Sequence, residues 1–207
     1  GPVITNATAC GSSGVAIGDA RRAIRHGYID VAIAGGAEAP LSAGVMSVFD
    51  GTRALSPPDP VDVSRSCKPF ASKRSGLVLG EGAAFVVLED EDNALKRGAR
   101  IYGYVTGYGV SCDATHIGMP DTHGQIACLR AALASASLAP SDIRYVNAHA
   151  TATNGGDVIE ADAIRSVFGS DPESAAVSST KSMHGHLLGA TSALEFAITT
   201  LAVHSSV

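Results

Sequence analysis

Cys10 stands between Ala7-Thr8-Ala9, which reads as a strand end, and Gly11-Ser12-Ser13, which reads as a helix start. A thiol at a helix mouth meets unsatisfied N–H groups and the positive end of the dipole, so its thiolate is favoured. The same N–H groups can hold the oxyanion of a thioester under attack. A lone cysteine before a helix is more often a buried structural thiol, so Cys10 needs partners.

Two histidine segments supply them. Asn147-Ala148-His149-Ala150-Thr151-Ala152-Thr153 follows a predicted strand and sets two hydroxyls at alternate positions beyond an imidazole. Lys181-Ser182-Met183-His184-Gly185-His186 follows another, with His186 expected at a helix start, where an imidazolium is disfavoured. Loss of CO2 from a malonyl thioester leaves an enolate, and two neutral N–H donors can stabilise it without a metal. One histidine would suit simple acyl transfer or a Cys-His hydrolase. His184-Gly185-His186 is also compatible with a metal pair, although no carboxylate or cysteine ligand stands close in sequence. Glu195 interrupts an apolar helical stretch, and a buried carboxylate there needs a cation such as Lys181.

The elements that must position these groups alternate in type, which argues for layered α/β. Residues 3–9, 30–36, 101–110, 144–148 and 175–179 read as strands, and 76–90 as two strands about a glycine turn. Helices are expected over 12–26, 91–98, 123–138, 157–168 and 187–203, the last apolar nearly all round and so buried. The Pro-rich stretch 55–64 is loop. The charged stretch 89–100 marks a boundary between two units.

The chain has 207 residues, room for one large or two small units. Its formal charge of −5 argues against nucleic acid as a partner. Arg21, Arg22 and Arg25, and Arg65, Lys68, Lys73 and Arg74, form basic stretches that suit a solvated face or a dock for an acidic partner. Cys10, Cys67, Cys112 and Cys128 show no paired spacing and read as reduced thiols. No signal peptide or membrane span is visible, so a cytoplasmic (or organellar) setting is expected. His26, His116, His123 and His204 carry no pattern.

Together the motifs carry a resemblance. Thr8 to Ser13 resembles the nucleophile elbow of beta-ketoacyl-acyl-carrier-protein synthases. Asn147 to Thr153 resembles their first histidine motif, and Ser178 to Ala190 their lysine and second histidine motif. Ala34 to Glu38 and Gly76 to Ala83 resemble their glycine-rich segments. The resemblance covers essentially the whole chain and is closest to the type II elongating synthases.

It implies a thiolase-like layered α/β/α/β/α fold, here incomplete. Residues 1–98 would end the N-terminal half and carry the elbow, and 99–207 would supply most of the C-terminal half with both histidines. It implies Cys10 as the acylated nucleophile, His149 and His186 as the decarboxylation and condensation pair, Lys181 as support, and Glu195 as its partner. Thr151 and Thr153 would bind the phosphopantetheine arm of an acyl carrier protein, and Lys68 and Arg74 would dock that carrier. The expected product is a 3-oxoacyl carrier thioester in fatty acid elongation, made by a homodimer without metal or separate cofactor. A ketosynthase of polyketide or specialised lipid assembly, and a non-catalytic condensing-fold protein, stand as alternatives.

The chain departs from the family pattern at Ala150, Ala152, His184, Ala71, Ser75 and Leu77. Ala150 replaces a glycine, which requires a negative φ there or a yielding loop. The family's first half and its C-terminal glycine-rich segment, which supplies a second oxyanion N–H, have no counterpart here. Loss of one such donor costs about 2.7–4 kcal/mol, so these residues alone are not expected to be a competent enzyme.

Overall fold

The computed structural model describes residues 1–115, 118–170 and 175–206, and His116 lies outside them. A 3-10 turn at Ala9–Gly11 leads into α1 (Ser12–Arg25), followed by β1 (Val31–Glu38), α2 (Ala43–Gly51), β2 (Gly82–Glu89) and α3 (Glu91–Lys96). Next come α4 (Thr122–Ala136), β3 (Tyr145–Asn147), α5 (Gly156–Phe168), β4 (Ala176–Ser178), α6 (Lys181–His184) and α7 (Thr191–Ser205). They fall into two compact units.

The first unit joins three stretches, Gly1–Pro40, Glu81–Val105 and Leu187–Val207. Its sheet is β1 paired antiparallel with β2, from Val31 opposite Glu89 to Glu38 opposite Gly82. Ile17 of α1, Ala34 of β1 and Ala193 of α7 form its buried core, with Val86, Leu88 and Phe196 packed around them. Small residues make this close approach possible. A Cβ on Gly36 would stand 3.1 Å from both the Gly189 carbonyl and the Ser13 Cβ. α1 ends in a Schellman turn: Tyr28 N–H donates to Ala23 and Gly27 N–H to Ile24, with Gly27 at φ +69°. α3 starts under Asp90, whose Oδ1 accepts from Asp92 and Asn93 N–H.

The second unit joins Leu41–Gly80 to Thr106–His186. β3 and β4 pair in parallel, Tyr145 opposite Ala176 and Asn147 opposite Ser178. Ala148, Ala150 and Ile164 form a buried cluster, against which Phe70, Val146 and Phe168 pack. Asp121 caps α4 by accepting from His123 and Gly124 N–H.

Five expectations need correction. Residues 3–8 form no strand: Val3 and Ile4 stand 95% and 80% exposed and have no sheet neighbour. Residues 101–110 form no strand either. Gly107 and Gly109 serve instead to let the chain run against α4, since a Cβ on them would come within 2.4 Å of the Ala132 carbonyl and 2.2 Å of the Cys128 carbonyl. The segment 76–90 holds one strand, β2, while its first arm makes only isolated bridges, Leu77 with Leu55 and Leu79 with His186. His186 is therefore a bridge residue ahead of α7, not a helix start. α7 is buried at Thr191, Ala193 and Glu195, but Leu201 and Val203 are open to solvent. No helix among the described residues is long and apolar enough to cross a membrane.

Candidate active site

In the first unit, Cys10 lies in the tight turn ahead of α1, half-buried. Ala9 before it takes φ +50°, the left-handed region that an alanine adopts only under constraint. Ser12 supplies that constraint: its hydroxyl accepts Thr8 N–H at 2.9 Å and donates to the Ala9 carbonyl at 2.7 Å. Ser192 Oγ donates to the Cys10 carbonyl at 3.1 Å. The buried Ser13 accepts Ala193 N–H at 2.9 Å, and Glu38, at the end of β1, accepts Gly189 N–H at 3.1 Å. The elbow is thus tied to the segment 189–193. Glu195, 8% exposed, sits one turn further along α7.

In the second unit, the structure brings the two histidine segments together. The rings of His149 and His186 stand edge to face, centroids 5.2 Å apart, at 83°. Ser179, just after β4, bonds the Ala150 carbonyl at 3.1 Å and so joins the lysine segment to the first histidine loop. His186 is held by its main chain: its N–H donates to Val78 at 2.7 Å and its carbonyl accepts from Gly80 at 3.0 Å. Lys181, wholly buried, opens α6.

The electrostatics favour two neutral imidazoles. Burial, then the charge of Lys181, then His184, lower the His186 pKa to about 4. His149 keeps an exposed edge, while the dense protein behind its ring, then Lys181, then His186, lower its pKa to about 3. Both rings are neutral at pH 7, so each can present an N–H to developing negative charge.

Thr151 and Thr153 follow His149 on one loop, their hydroxyls 3.1 Å apart. Ala152 between them is fully buried at φ +66°, and its carbonyl accepts Gly76 N–H at 3.0 Å. The strain therefore falls on Ala152 and not on Ala150, which is absent from the positive-φ residues and packs in the core. Arg74 braces the same loop. It donates to the carbonyls of Thr153 at 3.0 Å, Asn154 at 2.6 Å and Ala71 at 3.1 Å, and its Nε lies 4.0 Å from Asp157. Lys68 is paired with Asp59 at 2.5 Å, and that bond above all holds the Asp59 carboxyl well below the usual range. Both nitrogens of His184 are engaged within its own turn, so it offers no second ligand beside His186 for a metal.

Three groups escaped the sequence reading. Glu160 accepts the main-chain N–H of His149 and of Ala150. Asp157, 1% exposed, accepts Phe70 N–H at 2.7 Å. Ser179 joins the two segments. Only the coincidence of Asp157 and Glu160 on one helical face hinted at a buried acidic side of α5.

Comparison with known proteins shows the family. Residues 1–94 match the beta-ketoacyl synthase N-terminal domain, and 102–207 the beta-ketoacyl synthase C-terminal domain. The chain is 44% identical over 207 residues to Nodulation protein E of Rhizobium leguminosarum bv. trifolii, covering 100% of this chain and 50% of that one. It is 41% identical over 208 residues to 3-oxoacyl-[acyl-carrier-protein] synthase 2 of Staphylococcus aureus, covering 100% and 51%. The chain spans about half the length of these curated relatives. A solved structure described as a type II PKS acyl-carrier protein in complex with its ketosynthase bound to the hexaketide matches with a TM-score of 0.94. The identity is 33%, covering 98% of this chain and 50% of that one. The expected thiolase-like α/β fold is borne out by that likeness. With both domain models matched in order along its length, the chain belongs to the beta-ketoacyl synthase family.

Proposed function

We propose that the whole protein is a condensing acyltransferase, with Cys10 as its nucleophile and His149 and His186 as its enolate-stabilising pair. The edge-to-face pair of neutral imidazoles carries this reading. The Cys10 thiolate attacks an acyl thioester, and the carrier thiol leaves with a proton. A malonyl thioester then loses CO2, and the electron pair of the broken C–C bond passes into an enolate. N–H donors from His149 and His186 hold the enolate oxygen. The enolate carbon attacks the acyl-cysteine carbonyl, and the Cys10 thiolate departs. The product is a 3-oxoacyl thioester two carbons longer. Decarboxylation drives the step, so the chemistry requires neither metal nor nicotinamide.

In this reading Lys181 biases both imidazoles toward the neutral form, with Glu195 as its partner. Thr151 and Thr153 bind the phosphopantetheine arm of an acyl carrier protein. The carrier named in the similar polyketide complex supports that partner class. Of the two docking candidates, Lys68 is the more open, at 27% side-chain exposure against 16% for Arg74. A homodimer, a domain boundary near residue 98 and a cytoplasmic setting complete the proposal.

Fatty acid elongation is the first assignment of pathway. Polyketide or specialised lipid assembly is the second, favoured by the identity to Nodulation protein E and the likeness to a polyketide ketosynthase.

Intact-protein mass after incubation with an acyl thioester, or with an epoxide inhibitor of the cerulenin type, tests the nucleophile. One adduct is expected, lost in Cys10→Ala. Burial pushes the Cys67 and Cys128 thiols up, which keeps them protonated and slow to react. Adducts spread over Cys67, Cys112 and Cys128 in the full-length protein would sink the assignment.

A further inference from the structure

His184 replaces a residue type usual in the family, and its ring does something no smaller side chain could. Nδ1 lies 2.7 Å from the Gly185 carbonyl, and Nε2 lies 3.0 Å from Thr180 Oγ1. A carbonyl only accepts, so Nδ1 carries the proton. Nε2 of a neutral ring then holds a lone pair and accepts from the Thr180 hydroxyl. Burial and Lys181 both lower the His184 pKa, against the raising effect of the Gly185 bond, which keeps the ring in this neutral form.

The two partners have a particular place in the chain. Thr180 immediately precedes Lys181, and Gly185 immediately precedes His186; both buried groups belong to the site. The ring therefore spans α6 from the residue before it to the residue after it. The main chain makes the same closure through Gly185 N–H to the Lys181 carbonyl at 2.8 Å, with Gly185 at φ +72°. The α6 turn is only four residues long, and so short a turn has few bonds of its own to fix its ends.

We propose that His184, as its Nδ1–H tautomer, is a positioning residue that fixes Lys181 and His186 relative to each other for the decarboxylation step. The inference rests on the condensing reading above. A small displacement of a stabilising donor costs a large factor in rate, because its strength lies in being aimed in advance.

The test uses the full-length protein and separates the half-reactions. His184→Leu removes both ring bonds. It is expected to lower CO2 release from malonyl carrier protein by about tenfold or more, while Cys10 acylation by an acyl thioester stays within about twofold of wild type. His184→Asn, whose amide N–H sits where Nδ1–H was, is expected to recover much of the lost rate. Nitrogen-15 correlation spectra of the wild type should show His184 protonated at Nδ1. An Nε2–H tautomer overturns the proposal, as does wild-type CO2 release from the leucine variant or equal loss in both half-reactions. A wild type that acylates but releases no CO2 refutes the condensing reading instead. The tautomer, and faster amide exchange at Lys181 and His186 in the leucine variant, then decide the brace independently.

Discussion

Glu160 on α5 receives the main-chain N–H of His149 at 2.7 Å, and its second oxygen receives that of Ala150 at 2.6 Å. The backbone of the first histidine is thus oriented by a carboxylate from the helix that follows it. Burial is the largest influence on this carboxyl and raises its pKa, while the two N–H bonds pull the other way. Glu160→Ala strips the partner from the N–H of Ala150, which is 1% exposed. An orphaned buried donor costs about 1–3 kcal/mol, and the exposed edge of His149 makes its own loss smaller. Glu160→Gln keeps one acceptor and should fall between. Urea unfolding of the three proteins checks the order.

Arg74 should matter for the arm of the substrate and not for the chemistry. It holds the carbonyls of Thr153 and Asn154, so Arg74→Lys loosens the threonine loop without touching an imidazole. Lysine cannot reproduce the forked geometry of a guanidinium. The variant is expected to raise KM for pantetheine thioesters by about tenfold, the value of one good charged hydrogen bond. Turnover of a short N-acetylcysteamine thioester, which lacks most of the arm, should change little. Equal losses with both substrates would count against the assignment.

The histidine pair sets a pH dependence of stability. Unfolded imidazoles titrate near pH 6.5, whereas folded His186 holds out to about 4 and His149 to about 3. Between those values the unfolded chain binds more protons, so stability rises with pH. The contribution is complete above about pH 6.5 and is lost as pH falls toward 4 and then 3. Glu160, with its raised pKa, works in the opposite sense. Comparing unfolding of wild type with His186→Asn from pH 4 to 7 cancels that term, and the variant should show the flatter profile.

Two glycines with nearly the same backbone angle should respond differently to alanine. Gly27 has φ +69° with nothing within 4 Å of a Cβ, and Gly185 has φ +72° with the carbonyls of Val78 and Leu79 at 3.0 and 3.1 Å. Gly27→Ala is expected to cost only the left-handed strain, about 1–2 kcal/mol. Gly185→Ala adds crowding against the segment Val78–Gly80 that bonds His186, so it should cost more and slow decarboxylation. Thermal unfolding paired with CO2 release separates the two effects.

Much of this was legible before the structure. α1 followed from its apolar side, and α3, α4 and α5 lie close to the ranges expected for them. The segments around Cys10, Lys181, His149 and His186 stood out as candidates because each is short and local. Residues 3–8 and 101–110 misled, since β-like composition says nothing about whether a neighbour strand is there to pair. Gly107 and Gly109 looked like strand residues with small side chains, when their purpose is to let the backbone meet α4. Glu160, Arg74 and His184 bind main-chain atoms, and a carbonyl or N–H leaves no trace in residue type.

The first unit is assembled from chain segments that emerge far apart in time. Ser13 and Ala193, bonded to each other, lie 180 residues apart. On a ribosome, α1, β1 and β2 are made before α7, whose Ala193 completes their core. The second unit, which ends at His186, is complete in sequence before the last stretch of the first, Leu187–Val207, is made. Such non-local closure slows folding and leaves apolar surface uncovered meanwhile. The protein should therefore depend on chaperones during synthesis more than a chain of similar size whose neighbours in space are neighbours in sequence.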